Sequence, residues 1–492
     1  MGTKQGGEFS PSLFGIFIEQ LHELLSTDTQ GKGPIIGSLH VPDLMYADDV
    51  GLFANSPADL QALLDTLHLF CKLFGMKVNI PKTVIVVFRK QQQKIPSSAV
   101  WFFDGQQLKV VPDFKYLGIV YHSTKGIRAA VEHLSASGTR AMHSLLMNCS
   151  DKGIKQPAFK LRLFKVLVEP ILSYGCQIWG PDLCIKHWGY DRALHNTLER
   201  VQLNFLRIIS GLPKTADSWV VLKEHGTHPL QHHWIVLCAR FWRRVLDMPY
   251  TSISHQTMMA DIMLFLSGCD TCWVAKLLHI LESIGVPHIC ADRDHLDVDS
   301  IVELPITEDI VKDCISNYLD NYWSQFNGQC PSTTQERVVS CTYHNWVGSR
   351  KDGAPYLASM LNSKQLYALT RLRVGSFDLH IHTGRFIGTP RTQRLCMACN
   401  ATYAQVEDLR HFLLFCPEYK GIRKKYASVF THKRCIDVLA HHDQATLANC
   451  VLEMLRQRRE SISINRPHIT VDHHLDSFSS DDDDDVYNPP AF

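Results

Sequence analysis

Residues 44–53 read Leu44-Met45-Tyr46-Ala47-Asp48-Asp49-Val50-Gly51-Leu52-Phe53, two adjacent carboxylates set between two short apolar runs. Such runs on either side of a polar pair predict a β-hairpin with Asp48 and Asp49 at its turn. Inside a single strand, neighbouring side chains would point to opposite faces, and one Asp would become an unpaired charge in the core. At a turn both stay accessible and can face one cleft. There they could hold a hard divalent cation such as Mg2+, which takes oxygen ligands and keeps positions for water and substrate phosphates. A solvated Asp-Asp turn has the same local pattern, since Asp is common in turns. The neighbouring segments decide between the two readings.

Upstream, Met1-Gly2-Thr3-Lys4-Gln5-Gly6-Gly7 leads through Ser10-Pro11 into an apolar-periodic segment with Leu13, Phe14, Phe17, Ile18, Leu21 and Leu24. This predicts a glycine-rich loop running into a helix, with Ser10 as N-cap and Pro11 at the first helical position. A glycine turn ahead of a helix N-terminus can approach a phosphate closely. Downstream, Ser56-Pro57-Ala58-Asp59 opens a second helix carrying Leu60, Leu63, Leu64, Leu67 and Phe70. Gly75-Met76-Lys77-Val78-Asn79, Pro81-Lys82-Thr83 and a strand over Val84 to Phe88 come next, an α+β unit packed on the hairpin. Asp104-Gly105 between apolar runs signals another hairpin, and Phe114-Lys115-Tyr116-Leu117-Gly118-Ile119 follows it.

The order of these features resembles the reverse transcriptases. The segment Gly2 to Gly6 with Ser10-Pro11 and Leu13-Phe14 is similar to the motif that helps place template and incoming nucleotide. Tyr46-Ala47-Asp48-Asp49 is similar to the palm hairpin, and Gly75 to Asn79 through Lys82-Thr83 to the next palm motif. Phe114-Lys115-Tyr116-Leu117-Gly118 resembles the primer grip of non-LTR (LINE-type) retrotransposons. The resemblance implies that Asp48 and Asp49 are catalytic Mg2+ ligands and that Gln5 and Gly6 touch template or nucleotide. It implies that Lys82 lies near the triphosphate, with Tyr46, Leu117 and Gly118 in the template- and primer-binding set. The partners implied are an RNA template, a DNA primer and deoxynucleotides. Another palm aspartate, on a strand upstream of the glycine-rich motif, would precede residue 2, and so would the fingers. The chain alone is therefore expected to be N-terminally truncated and to have little or no polymerase activity.

The chain has 492 residues, 45% of them hydrophobic, more than one hydrophobic core accommodates. Lys plus Arg (50) nearly balance Asp plus Glu (49), so the distribution of charge is more informative than its total. No apolar run reaches membrane-span length and the N-terminus lacks a signal-peptide pattern, which predicts an intracellular protein of nucleus or cytoplasm with no membrane partner. Sixteen cysteines then point to metal ligands or reduced buried thiols rather than a disulfide scaffold.

Residues 119–214 read as helical and basic, 13 Lys or Arg against six Asp or Glu, or 13 − 6 = +7. One helix there keeps a stripe of Leu194, Leu198, Val201, Phe205 and Ile208, places Arg200 and Arg207 off it, and stops at Gly211-Leu212-Pro213. Beside a palm, such a layer would meet the phosphate backbone without sequence preference. An ordinary solvated face has the same pattern. Leu163 to Gly175, ending at Trp179-Gly180, resembles the thumb of the same family. In the following stretch Cys269 and Cys272 form a C-x2-C pair with His288 and Cys290 downstream. They could bind metal, although Cys272 beside Trp273 reads more simply as a small core residue.

Cys396, Cys399, His411 and Cys416 are spaced C-x2-C-x11-H-x4-C, which fits a closed tetrahedral Zn2+ site of structural type. With Glu407-Asp408 before His411 and Pro417 after Cys416, the passage resembles the reverse-transcriptase zinc-binding domain. Arg371, Arg373, Arg385, Arg391 and Arg394 on one side, and Arg423, Lys424 and Lys425 on the other, favour RNA or DNA binding. The tail from about residue 461, with Asp481 to Asp485, is polar and acidic and is expected to be disordered.

The fold class expected is α+β: a partial polymerase palm of antiparallel strands and helices, a mostly helical thumb and connector, and a small zinc module. The divisions are 1–122 palm with primer-grip hairpin, 123–214 thumb, 215–365 connector, 366–435 zinc-binding module, 436–460 C-terminal helix and 461–492 tail. The function expected is RNA-directed DNA polymerase of a non-LTR retrotransposon. The alternative is a non-enzymatic RNA- or DNA-binding protein derived from such an element.

Overall fold

Helix α1 (Ser10–Asp28) is followed by the paired two-residue strands β1 (Ile35–Ile36) and β2 (Leu39–His40) and then by the hairpin β3 (Asp43–Tyr46) and β4 (Asp49–Leu52). Tyr46 pairs with Asp49 and Asp43 with Leu52, so the turn is Ala47-Asp48 and Asp49 is the first residue of the return strand. The expectation that both acids occupy the turn is corrected by this one-residue shift in register. The computed structural model describes residues 8–28, 32–95, 99–187, 194, 196–289, 296–324, 343, 352–377, 379–384, 387–399 and 405–465. Gln5, Gly6, Cys290, Arg385 and the acidic tail lie outside the described residues.

Helix α2 (Pro57–Phe74) starts as its sequence predicts: Ser56 Oγ accepts the Asp59 N–H at 3.1 Å and proline takes the first position. It ends at Gly75, whose φ of 66° is the left-handed conformation that closes a helix. Ile18, Leu21 and Leu25 of α1 and Leu63 and Phe70 of α2 form a core on which Met45, Val50 and Leu52 pack. Paired residues share a face of a sheet. The hairpin therefore turns Asp43, Met45, Val50 and Leu52 toward the helices and Leu44, Tyr46, Asp49 and Gly51 away from them.

Strand β5 (Val84–Ile85) lies parallel to β8 (Lys109–Val110). It stops at Ile85, well short of the strand expected as far as Phe88, because its partner is only two residues long. Strands β6 (Phe102–Phe103) and β7 (Gln106–Gln107) flank Asp104-Gly105, and β9 (Asp113–Tyr116) and β10 (Ile119–His122) flank Leu117-Gly118. Both turns have positive φ at both central residues, 49° and 71° in the first, 46° and 88° in the second. That twist matches the strands of a tight hairpin. Leu64, Ile85, Trp101, Phe103 and Leu108 form a second core cluster.

Helices carry most of the remainder: α3 (Ile127–Asp151), α4 (Pro157–Leu167), α5 (Glu169–Leu172), α6 (Cys176–His187), α7 (Thr197–Ile209), α8 (Ser218–Glu224), α9 (Leu230–Leu246), α10 (Ile253–Leu266), α11 (Trp273–Ser283), α12 (Val298–Val302) and α13 (Glu308–Ser324). The chain divides into two compact units that alternate along the sequence. The first holds Met1–His133, Gln177–Ile185 and Val236–Val311, and the second Leu134–Cys176, Lys186–Ile235 and Lys312–Phe492. The second unit has its core where the helix Ser363–Val374 meets the C-terminal helix Gln444–Asn465, with Leu369, Leu372, Phe412, Tyr419, Val451 and Met454 all buried. The C-terminal helix expected over 436–460 is two helices, Cys435–Leu439 and Gln444–Asn465, and Ser461 and Ile462 are buried rather than part of a tail. Among the described residues no helix is long and apolar enough to cross a membrane.

Candidate functional site

Asp48 and Asp49 are both exposed at the tip of the β3/β4 hairpin, and neither forms an ion pair with a described residue. Ala47, the first turn position, has a φ of 54°, a conformation that costs an L-residue about 1–2 kcal/mol. The β9/β10 hairpin comes alongside: the Tyr116 hydroxyl is 3.5 Å from the Leu44 carbonyl oxygen. Burial first, then the charge of Asp49 and the neighbouring Tyr121, push the Tyr116 phenol upward. Phe114, Tyr116, Ile119 and Tyr121 share one face of that hairpin, by its register. An aromatic face thus adjoins two accessible carboxylates. Leu117 and Gly118 form its turn, and Lys82 is exposed at the end of the short turn Ile80–Lys82.

A third acid of this hairpin was missed in the sequence. Asp43 sits 3% exposed at the base of β3, where His22 Nδ1 of α1 lies 2.9 Å from its Oδ1. Burial holds its carboxyl above the usual range, and the His22 hydrogen bond opposes that shift. Asp43 faces the helices whereas Asp49 faces away, so the two cannot serve one metal from opposite sides of a sheet.

In the second unit Cys396, Cys399, His411 and Cys416 converge, all four buried, with one candidate ligand atom from each within 4.8 Å of all the others. The backbone explains why. Leu395 bridges to Val406, Cys396 N–H donates to Gln405 O at 2.9 Å, and a tight turn brings Cys399 back beside Cys396. His411 begins a single wide helical turn, His411–Phe415, whose end presents Cys416. The His411 N–H donates to Asp408 Oδ1 at 2.7 Å, and its Nδ1 pairs with Gln405 Oε1 at 2.8 Å. Nε2 is thereby turned toward the thiols, 3.5 Å from Cys399 Sγ.

The thiols are 4.0 Å apart at Cys396 and Cys416 and compete for charge. Hydrogen bonding from Cys416 holds Cys396 down at about 3. Burial and the charge on Cys396 push Cys399 up to about 11, and the bond to Cys396 pushes Cys416 higher still. With only Cys396 favoured as thiolate, the other two thiols would ionise only beside a cation, and a tetrahedral dication fits this donor set. Among the described residues this is the one cluster of three or more Cys, His or acidic groups at ligand distance. Cys272, weighed as a metal ligand from its spacing, instead caps α11, its Sγ accepting the Ala275 N–H at 3.4 Å.

Residues 1–121 match the family described as Reverse transcriptase (RNA-dependent DNA polymerase). This segment is a reverse-transcriptase domain. The chain is homologous to non-LTR retrotransposon polymerases. It is 31% identical over 205 residues to the Retrovirus-related Pol polyprotein from type-1 retrotransposable element R2 of Popillia japonica, covering 40% of this chain and 27% of that protein. It is 32% identical over 133 residues to the type-2 element R2DM polyprotein of Drosophila melanogaster, covering 26% of this chain and 12% of that one. It is 21% identical over 215 residues to the RNA-directed DNA polymerase from mobile element jockey of Drosophila funebris, 43% of this chain and 22% of the relative. The matched part is thus less than a third of each of these proteins.

Several basic residues expected to meet nucleic acid in this reverse-transcriptase homologue are engaged within the fold. Arg207 donates to Ala216 O at 2.9 Å and Ser218 Oγ at 2.8 Å, tying α7 to the loop before α8 and to the first residue of α8. Arg373 is buried in an ion pair with Glu224. Arg394 donates to Ile381 O at 2.7 Å and Thr389 O at 2.9 Å, and the Arg423 guanidinium holds the Cys416 carbonyl. Arg371 lies over the Tyr367 ring, 4.2 Å from its centroid. Arg200, Arg391, Lys424 and Lys425 are exposed, Lys425 beside Glu453. The accessible basic surface is smaller than composition implies, because Arg also satisfies buried carbonyls and carboxylates.

Proposed function

We propose that this chain works in RNA-directed DNA synthesis by a non-LTR retrotransposon, with residues 1–122 contributing part of the polymerase palm. The observation that carries the proposal is the tip of the β3/β4 hairpin, two adjacent accessible carboxylates with Tyr116 of the neighbouring hairpin alongside. Asp48 and Asp49 would hold Mg2+, whose charge, when bound, acidifies a primer 3′-hydroxyl and neutralises the triphosphate. Tyr46 and the Leu117-Gly118 turn would position primer and template. Lys82 would approach the triphosphate, and Gln5 and Gly6 the template or nucleotide. Cys396, Cys399, His411 and Cys416 would hold a structural Zn2+ that orders the nucleic-acid-binding C-terminal module.

Mn2+ binding followed by electron paramagnetic resonance, with primed template and deoxynucleotide present, tests the palm reading. Asp48→Asn and Asp49→Asn should each weaken it about 10-fold or more, because each removes a charged ligand. Unchanged Mn2+ affinity in both variants would falsify it. Two carboxylates are few for two cations, so little template-dependent synthesis is expected from this chain in a primer-extension assay. Robust synthesis would overturn that expectation.

A second reading is favoured by the same shortage of acidic ligands: a non-enzymatic RNA- or DNA-binding protein that uses the C-terminal module. Filter binding separates the two. Affinity lost on zinc removal, in a chain indifferent to both Asp48→Ala and Mg2+, supports the second reading.

A further inference from the structure

The C-x2-C pair of the first unit is absorbed neither by the palm nor by the zinc cluster. Cys272 is buried, and its Sγ approaches the Cys269 carbonyl oxygen at 3.2 Å while capping α11. Cys269 is partly exposed, its Sγ 3.5 Å from the Thr271 hydroxyl. Hydrogen bonds from Thr271 and then Cys272 lower the Cys269 thiol, and burial raises that of Cys272. Ten of the other eleven described cysteines are buried, and Cys314 is half-buried with no second cysteine in its helix α13. One accessible thiol drawn toward ionisation, three residues before a sheltered thiol whose Sγ lies 3.2 Å from the first residue's carbonyl oxygen at a helix start, is the arrangement that supports thiol–disulfide exchange.

We propose that Cys269 and Cys272 form a redox-active dithiol that closes reversibly to an intrachain disulfide with a small-molecule disulfide as oxidant. The Cys269 thiolate attacks one sulfur of that disulfide, forming a mixed disulfide and releasing one small thiolate. Cys272, giving its proton to solvent, then attacks Cys269 Sγ, and the second small thiolate leaves. The protein loses two electrons and two protons, and one disulfide becomes two thiols.

Closure has a local consequence. Disulfide formation takes the Cys272 proton off the Cys269 carbonyl, next to Trp273. That ring stacks on Trp242 with centroids 6.3 Å apart and donates to Gln177 O at 3.1 Å. Oxidation should therefore quench tryptophan emission.

The test is titration of the zinc-loaded full chain with glutathione disulfide and glutathione at varied ratio, read by peptide mass mapping and tryptophan emission. The expected result is a Cys269–Cys272 disulfide that appears with quenching and is reversed by excess glutathione. Cys272→Ser should accumulate a glutathione adduct on Cys269, because no resolving thiol remains, whereas Cys269→Ser should leave Cys272 unmodified. Both thiols staying reduced while Cys314 reacts would overturn the proposal, as would stoichiometric zinc on the pair in the wild-type chain. The Asp48 and Asp49 variants should leave the titration unchanged, so its outcome is independent of the polymerase reading.

Discussion

Arg458, on the C-terminal helix, donates Nε–H and Nη2–H to the Glu407 carboxylate at 2.8 and 2.9 Å, and both side chains are buried. Glu407 also accepts the His380 N–H at 2.6 Å and lies 3.8 Å from Cys396 Sγ. The C-terminal helix is thus tied to the Cys/His cluster through one carboxylate. Arg458→Met should destabilise the zinc-loaded chain by ~3–5 kcal/mol, since it leaves Glu407 buried and unpaired. Glu407→Gln combined with Arg458→Met should cost less than Arg458→Met alone. Urea unfolding of the second unit measures both, and an additive double variant would contradict the coupling.

Gln405 should govern metal affinity without touching the metal. Its Oε1 fixes the His411 ring by taking Nδ1. Gln405→Leu is expected to weaken Zn2+ binding about 10–100-fold in a competition titration with a colorimetric chelator. Complete chelation should raise hydrogen exchange over residues 395–416 and leave the β3/β4 hairpin unchanged.

Glu199 carries a pH dependence. Fully buried, it accepts the Leu230 N–H at 3.0 Å and the Gln231 N–H at 2.8 Å at the start of α9, and burial pushes it from 4.5 up to about 8. A folded value above the unfolded one means that the native state holds the extra proton. That contribution is fully present below about pH 4.5 and is lost as pH rises to about 8. Glu199→Gln, which keeps one acceptor oxygen, should flatten this part of the stability profile in denaturant melts from pH 5 to pH 8.5. An unchanged slope would remove Glu199 as its source.

Ala47 pays a conformational penalty at the hairpin tip, with its φ of 54°. Ala47→Gly should relieve it and stabilise the hairpin by ~0.5–1 kcal/mol, the usual left-handed penalty less the entropy glycine adds to the unfolded chain. Thermal unfolding checks the sign. Loss of Mn2+ affinity alongside the gain would show that the strain helps aim Asp48 and Asp49.

Wherever local chemistry was sufficient, the sequence was legible. Ser56-Pro57 opens α2, Asp104-Gly105 makes a tight turn, and the cysteine spacing leads to four converging Cys and His side chains. The register of one hairpin was out by a residue, because a polar pair marks a turn without saying which of its members belongs to it. Partners distant in the chain were not legible at all. Asp43 with His22, Glu199 with the start of α9 and Glu407 with Arg458 are separated by 21, about 31 and 51 residues.

The sequence by itself determined the hairpin carrying Asp48 and Asp49, the kind of donors in the Cys/His cluster and the helical character of the rest, since these depend on backbone preference and short-range spacing. The tertiary structure alone decided which charges remain accessible. Arg207, Arg373, Arg394 and Arg423 look like nucleic-acid ligands in composition, yet each satisfies a carbonyl or carboxylate that packing has removed from water. Burial is a property of the whole fold, and no local window of sequence contains it.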